Sequence, residues 1–207
     1  MSGKLDICAL EAPIADSALD ELASVLVDCV AGGASVSFMA PFSHHDGLKF
    51  FRKVAASVAA DDTVLVAARL DGRIIGTVQL GLDTPPNQPH RADVKKMLVH
   101  RSARSRGVGA ALMEAIEDEA RQRGRWLLVL DTVPGENGYR LYKRAGWTES
   151  GVIPDYALFP DGRLCDTAMF WKRLDAPSSR PKSRDDREAA TASPLFPLPS
   201  PASPASV

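Results

Sequence analysis

The sequence predicts one domain of the α/β (or α+β) class, in which helices and strands alternate along the chain. Apolar residues recur at the spacing of a helix in some segments and at the spacing of a strand in others. Two segments rich in β-forming residues flank Asp71-Gly72, a pair that favours the tight turn of an antiparallel hairpin. Farther along, residues 92–131 have the pattern of strand, loop, helix and strand, which is a βαβ unit.

The first part of the chain predicts a strand, two helices and the hairpin. The segment LDICA alternates as a strand does, and an amphipathic helix capped by Asp16 follows and ends at Gly32 and Gly33. A loop then leads to a second helix around residues 48–59. The two strands of the hairpin are TVLVAARL and RIIGTVQLGL.

The second part predicts the βαβ unit and a short helix. ADVKKMLV is its first strand, and a helix over residues 109–123 ends at Gly124. The helix carries Leu112, Ile116 and Ala120 on one side, and on the other the charged residues Glu114, Glu117, Asp118 and Arg121. WLLVLD is almost entirely apolar, which predicts a strand buried on both faces, and ENGYRLYKRA is a short helix.

Composition and charge exclude several classes of function. The net charge of −1 over 207 residues gives no global attraction for nucleic acid or anionic lipid. Cys8, Cys29 and Cys165 lie far apart and lack the C-x-x-C spacing of zinc and redox sites, so no metal is predicted. No segment approaches the roughly 18 apolar residues of a membrane-spanning helix, and the N-terminus lacks a signal-peptide pattern. We therefore expect a cytoplasmic protein without a nucleic-acid or membrane partner.

The domain is predicted to cover residues 1–175, because the composition changes after that point. Residues 176–207 hold seven of the fifteen prolines and few large apolar side chains, which is typical of a disordered tail. The segment PLFPLPSP could alternatively be a polyproline II ligand for a partner.

The segment ARSRGVGAAL places glycines and arginines immediately before a helix, a setting that suits an anion. A Walker A loop is excluded because no lysine followed by Ser or Thr lies near Gly107. A dinucleotide fingerprint would need a small residue in place of Leu112, although Asp131 could imitate its ribose-binding acid. An ordinary glycine-rich connection is the remaining structural alternative.

Residues 104–109 match R-x-x-G-x-G, the pyrophosphate loop of acyl-CoA-dependent N-acetyltransferases. The chain thus resembles the GNAT superfamily, in DVKKMLVHRSARSRGVGAALMEAIEDEA and RLYKRAGW as well as in the loop, over roughly residues 4–174. The segment from LVLDTVPGENGYRLYKRAGW to PDYALFPDG is similar to the tabtoxin-resistance branch. One departure is Gly135, where many relatives have an asparagine that reaches toward the cofactor; Asn137 lies nearby.

The resemblance implies a fold and a cosubstrate. The fold is a twisted, mostly antiparallel sheet of about seven strands with about four helices, splayed between its two central strands. The cosubstrate is acetyl-CoA. The residues expected to bind it are Met97, Leu98, Val99, Arg104, Ser105, Arg106, Gly107, Val108, Gly109 and Ala110.

The resemblance also implies roles in transfer of an acetyl group to the amine of a small molecule, an amino-acid-like compound or an antibiotic or toxin. Tyr142 matches the general acid, with a core aromatic as the alternative; Asp131 and Asp93 are two candidates for the general base. The acceptor pocket is expected to include Phe38, Phe42 and Tyr156. Two rival functions are a non-catalytic acyl-CoA-binding module with a partner-recruiting tail and, more distantly, a nicotinamide oxidoreductase. The oligomeric state is open, a homodimer included.

Overall fold

The computed structural model describes residues 3–174, which contain seven strands and four α-helices. In chain order these elements are β1 (Leu5–Ala9), α1 (Asp16–Ala31), α2 (His44–Ala59), β2 (Thr63–Leu70), β3 (Arg73–Gly81), β4 (Arg91–Val99), α3 (Val108–Gln122), β5 (Leu127–Thr132), α4 (Asn137–Arg144), β6 (Thr148–Leu158) and β7 (Leu164–Arg173). The expected numbers of strands and helices are therefore confirmed.

The strands form one sheet in the order β1-β2-β3-β4-β5-β7-β6. Neighbouring strands are antiparallel except β4 and β5, which are parallel because helix α3 connects them, as the predicted βαβ unit requires. Their pairing covers only Arg91–Asp93 on β4 and Leu127–Val129 on β5. Beyond these positions the two central strands are splayed, as expected.

The hairpin of β2 and β3 turns where the sequence predicted it. Asp71 and Gly72 have φ values of 50° and 85°, and two successive positive φ values are those of a type I′ turn. The register pairs Leu70 with Arg73. This turn accommodates Gly72 without strain and Asp71 at a small cost.

Helices cover the two faces of the sheet and enclose two apolar cores. Helices α1 and α2 pack on one face, over a core that includes Leu22, Phe51 and Leu65. Helices α3 and α4 lie on the other face, over a core that includes Leu112 and Phe170. The apolar stripe predicted for α3 is confirmed, because all three of its residues are buried.

The starts of α1 and α2 differ from the prediction. The N-cap of α1 is Ala15, which makes no side-chain capping bond, and Asp16 lies in the first turn, where its carboxylate faces the positive end of the helix. Helix α2 begins at His44, one turn before the predicted start. The reason is a capping box in which Ser43 and Asp46 each bond the other's backbone N–H.

Two predictions of burial are wrong. Glu117 on α3 was expected to face solvent but is buried, because its carboxylate accepts a hydrogen bond from Lys172 Nζ at 2.7 Å. Strand β5 was expected to be buried on both faces. Its Leu128 and Leu130 are buried against the α3 core, whereas Asp131 on the other face is exposed. Helices α1 and α2 lie over β2, β3 and β4, so this face of β5 opens to solvent.

Some predictions concern residues outside the described part of the chain, and others can be compared with the structure only within it. The predicted tail, residues 176–207, lies outside the described part of the chain. Within residues 3–174, no helix is long and apolar enough to span a bilayer, and no three His, Cys, Asp or Glu side chains are grouped as metal ligands.

Candidate active site

A cleft of about 1420 Å³ opens where β4 and β5 separate. Its walls include the end of β4, the segment before α3, the first turn of α4, the loop after α1 and the β6–β7 hairpin. Because the splay leaves one edge of each central strand without a strand partner, backbone polar groups face this space as well as side chains. The cleft therefore offers both the room and the hydrogen-bonding groups that an extended ligand needs.

Strand β4 contains a β-bulge at the cleft. Leu98 pairs with Thr77 and Lys95 with Gln79, so that Lys96 and Met97 together lie opposite the single residue Val78. Lys96 has a φ of 53°, a left-handed conformation that costs free energy for a residue with a side chain. The bulge changes the direction of the backbone of Met97, Leu98 and Val99, and all three predicted residues line the cleft.

The glycine-arginine segment forms a left-handed loop at one end of the cleft. Ser105 and Gly107 have φ values of 60° and 80°, and Gly107 is the N-cap of α3. Ala111 N–H donates to the Gly107 carbonyl at 3.1 Å. Among the described residues, no hydrogen bond uses the N–H groups of Val108, Gly109 and Ala110. These three groups and the helix dipole together favour an anion in the cleft.

The two arginines of this loop are placed differently from one another. Arg104 lines the cleft, and its Nε donates to the Val99 carbonyl at 3.1 Å, while Nη2 lies 3.9 Å from Cys29 Sγ. Arg106 does not line the cleft. Of the two arginines predicted to bind the cofactor, Arg104 alone therefore lines the cleft. The anion-binding groups present are mainly backbone N–H groups, with Arg104 as the nearby charge.

Gly109 lies where α3 packs closely against α4. A Cβ atom at this position would lie 3.1 Å from Leu141 Cδ2, closer than side chains normally pack. The glycine brings the first turn of α3 against α4. Both helices therefore contribute to the wall of the cleft.

Tyr142 on α4 is the buried phenol of the cleft, with 6% of its surface exposed. Its ring packs in the α3 core, with centroids 6.0 Å from Trp147 and 6.1 Å from Phe170. Burial raises the pKa of the Tyr142 hydroxyl well above its ordinary value, and the Asp131 carboxylate raises it further. The hydroxyl makes no hydrogen bond with any other described residue. It therefore stays protonated over the physiological range and has a proton to donate.

Of the two candidate bases, Asp131 lines the cleft and Asp93 does not. Asp131 lines the cleft at the end of β5, where its Oδ2 accepts from Thr167 Oγ1 at 3.3 Å. Asp93 does not line the cleft, and its Oδ1 accepts from Arg91 Nη1 at 2.7 Å. The structure thus brings Asp131 and Tyr142 together and leaves Asp93 outside.

These features agree with a comparison to known proteins. The model of the acetyltransferase (GNAT) family matches residues 34–147, more than half of the chain. The chain belongs to this family. The membership confirms the predicted class of activity, N-acetyl transfer, and acetyl-CoA as the cosubstrate.

Individual relatives are distant. The IAA acetyltransferase of Azospirillum brasilense is 32% identical over 105 residues, which are 50% of this chain and 67% of that protein. Ribosomal-protein-alanine N-acetyltransferase from Brucella melitensis has a TM-score of 0.70 at 20% identity, over 82% of this chain and 99% of that one. The protein yncA of Salmonella typhimurium, solved with acetyl-CoA, has a TM-score of 0.68 at 18% identity, over 86% and 98%. At such identities the solved structures share the fold.

Aromatic side chains line part of the cleft of this GNAT protein. Phe38 and Tyr156 line the cleft, as does Phe159, and Tyr156 is 55% exposed. Phe42 does not reach the cleft; its ring lies 4.6 Å from that of Phe38, which it supports from behind. Two of the three residues predicted for the acceptor pocket therefore line the cleft, and their contact with an acceptor stays a prediction.

Asn137, the asparagine nearest the departure at Gly135, lines the cleft at the start of α4. Its Oδ1 accepts from Arg140 Nη2 at 2.9 Å, and Arg140 Nη1 also donates to the Gly135 carbonyl at 2.5 Å. Gly135 itself has a φ of 76°. The residues near this departure thus bind one another at the start of α4.

Sequence reasoning missed Lys96, which lines the cleft beside Ser37 and Phe38. Its Nζ donates to Ser37 Oγ at 2.8 Å and lies 5.6 Å from the centre of the Phe38 ring. A lysine pair within a strand is ordinarily solvent-exposed, and the bulge that turns Lys96 into the cleft leaves no mark in the sequence.

Proposed function

We propose that this acetyltransferase moves the acetyl group of acetyl-CoA directly to the amine of a small molecule, in a complex that holds both substrates. One observation carries the proposal. The splay between β4 and β5 joins an anion-binding helix N-terminus at one end to Asp131, Tyr142 and an aromatic acceptor wall within the same cleft.

Acetyl-CoA is bound mainly by backbone groups in this proposal. The unpaired N–H groups at the start of α3 receive the pyrophosphate, and the exposed edge of β4 at Met97–Val99 pairs with the amide groups of the pantetheine arm. Arg104 supplies a positive charge at the loop, and its hydrogen bond to the Val99 carbonyl holds the loop to the end of β4. This arrangement places the thioester beside the bulge.

The attacking amine has to lose a proton, and Asp131 is the base. An alkylammonium of reference pKa near ~10.4 costs roughly 4 to 5 kcal/mol to deprotonate at neutral pH. Asp131 is an exposed carboxylate on the cleft, so that it can take the proton directly or through water. Asp93 lies outside the cleft and is held by Arg91, so the base role falls to Asp131.

Charge develops on two atoms as the amine attacks the thioester. The carbonyl oxygen becomes an oxyanion, which the backbone N–H groups of the β4 bulge stabilise. The C–S bond then breaks, the hydroxyl of Tyr142 protonates the departing thiolate, and the nitrogen of the new amide releases its second proton to solvent. The raised pKa of Tyr142 keeps that proton available, and solvent returns it after the products leave.

The raised pKa of the Cys29 thiol, which lies near the loop, also favours direct transfer over an acyl-enzyme. Cys29 lines the cleft, but burial raises the pKa of its thiol, which disfavours the thiolate that an acyl-enzyme would need. The amine therefore attacks acetyl-CoA itself.

The acceptor is a small amine, and the similarity of the second half of the chain to the tabtoxin-resistance branch favours an amino-acid-like compound, an antibiotic or a toxin. The rival acyl-CoA-binding module finds no support in the comparisons. A cytoplasmic location and a homodimer stay predictions.

The test is release of CoA thiol from acetyl-CoA with a panel of small amines, alongside calorimetry of CoA binding. We expect transfer to at least one class of amine, and we expect Arg104→Glu to weaken CoA binding by about tenfold or more because a charge is reversed at the loop. Arg52→Glu, at an exposed position on α2 outside this cleft, is the matched control. Tight CoA binding with no transfer across the whole panel would favour the binding module.

A further inference from the structure

Lys96 is a half-buried cation on the acceptor side of the cleft without a carboxylate partner. Among residues 3–174, no carboxylate oxygen lies within 4.0 Å of its Nζ, whose hydrogen bond goes to the neutral Ser37 Oγ. Lysines are rarely removed from water unless they are paired. The described part of the chain supplies no neutralising group in contact with this ammonium.

The backbone holds Lys96 in this place at a cost. Its φ of 53° within the bulge is a conformation that residues with side chains seldom adopt, and such strain persists where surrounding structure enforces it. Ser37 and the Phe38 ring fix the ammonium from the loop after α1. The position of the charge is therefore set before any ligand arrives.

Asp131 faces the same cleft from the neighbouring central strand. Burial lowers the pKa of Lys96, and the negative charge of Asp131 opposes that change. Their hydrogen-bond partners are separate, since Lys96 Nζ donates to Ser37 Oγ and Asp131 Oδ2 accepts from Thr167 Oγ1. The acceptor side thus presents one positive and one negative group at separate points.

We propose that Lys96 binds a carboxylate of the acceptor, so that the substrate is a small amino acid or a similar compound whose amine lies toward Asp131 and whose carboxylate lies toward Lys96. This inference rests on the proposed function, since it assigns the acceptor of the same transfer. The acceptor carboxylate supplies the neutralising charge that the chain lacks, and its binding to a fixed ammonium orients the amine toward the thioester. Lys96 is a specificity residue in this scheme, and it carries no proton in the transfer.

The first experiment uses the wild-type full-length protein and pairs of acceptors that differ only at the carboxyl group. Each amino acid of the amine panel is compared with its carboxamide in the thiol-release assay. We expect kcat/KM to favour the carboxylate by about 10-fold to 100-fold, as for a lost hydrogen bond to a charged group. This comparison does not depend on the folding of a variant.

The second experiment measures the same pairs with Lys96→Met, Lys96→Arg and the control Lys53→Met, which removes an exposed positive charge on α2 outside the cleft. Lys96→Met should raise KM for the carboxylate by about 10-fold to 100-fold and leave the carboxamide within about threefold. Lys96→Arg should keep part of the preference, and Lys53→Met all of it. Because each variant is compared on both members of a pair, differences in amine reactivity and in folded fraction cancel.

The outcomes separate the two proposals. Equal use of carboxylate and carboxamide by the wild type, or an equal loss on both with Lys96→Met, overturns the role of Lys96 while transfer to amines stands. A lack of transfer to every amine of the panel overturns the proposed function, and the inference with it.

Discussion

Asp131 and Tyr142 lie on different elements, β5 and α4, yet the carboxylate of the first acts on the hydroxyl of the second. Burial is the larger cause of the raised pKa of Tyr142, and Asp131 adds to it. A negative charge near a phenol disfavours phenolate, so the carboxylate helps to keep the acid protonated. The proposed base thereby helps to keep the proposed acid protonated.

Removal of the Tyr142 hydroxyl tests the acid directly. Because Tyr142→Phe removes the proton donor, we expect kcat to fall by roughly 10²-fold to 10⁴-fold. Because the ring stays in its core, CoA affinity should change little. The control is Tyr139→Phe on the same helix, which loses a 2.8 Å hydrogen bond to Glu149 outside the cleft. The measurement is steady-state thiol release with the best amine. If acetyl transfer limits turnover and kcat stays within twofold of wild type, the proton of the departing thiolate comes from solvent and not from Tyr142.

The raised pKa of Tyr142 also predicts how stability depends on alkaline pH. The folded protein keeps this proton above pH ~10, where an unfolded tyrosine loses it, so the free energy of unfolding falls as the pH rises through that value. Below pH ~10 the contribution is fully present. Thermal melts from pH 8 to 11 should show a steeper decline for wild type than for Tyr142→Phe, and other titrating groups cancel in the comparison. Parallel curves would contradict the assigned environment.

Asp131→Asn and Asp93→Asn distinguish the two candidate bases. We expect Asp131→Asn to lower kcat/KM by about 10²-fold or more near neutral pH, because no group remains to take the proton of the ammonium. The loss should shrink toward pH 10, where more of the amine is already neutral. Asp93→Asn should change kcat/KM by less than about threefold, since it loses only its ion pair with Arg91. The reverse order of effects would move the base to Asp93.

The pair of Glu117 and Lys172 is predicted to stabilise the fold. Their side chains are 8% and 22% exposed, and Lys172 Nζ also donates to the Ala145 carbonyl at 2.7 Å, which ties α3, β7 and the end of α4 together. Lys172→Met leaves a buried carboxylate with only Arg121 at 3.7 Å, so we expect the melting temperature to fall by the order of 10 °C.

Two further variants show whether burial is the cause. Adding Glu117→Met to Lys172→Met should recover most of the lost melting temperature, because no buried charge remains. Arg163→Met breaks the exposed pair with Asp161 and should shift the melting temperature by less than about 3 °C. A double variant no more stable than Lys172→Met would show that packing, not charge, is responsible.

Local features of the fold could be predicted from the sequence, since they depend on neighbouring residues. The Asp71-Gly72 turn and the loop before α3 follow from backbone preferences within a few positions. The burial of Glu117 could not be predicted, because its partner Lys172 lies 55 residues away on β7. The ordinary reading of a glutamate on a helix is that it faces solvent.

The site shows the same division between local and distant causes. The order of segments that carry Tyr142, Asp131 and the loop is visible in the sequence. The exclusion of Asp93 from the cleft depends on where the pairing of β4 with β5 ends, and the entry of Lys96 depends on a bulge. Strand register and bulges are fixed by contacts between distant segments, so spacing along the chain does not reveal them.

The short pairing of β4 with β5 makes the sheet two sub-sheets joined at a narrow seam. Within the described residues, three register pairs cross this seam, whereas six join β5 to β7. A change in the distance between the sub-sheets disturbs the fewest backbone hydrogen bonds here. The loop before α3 and the bulge of Lys96 lie on one side of the seam, and Asp131 lies on the other. Small relative motions of the sub-sheets would therefore change the distance between Lys96 and Asp131, which we propose bind the acceptor, without unfolding either half.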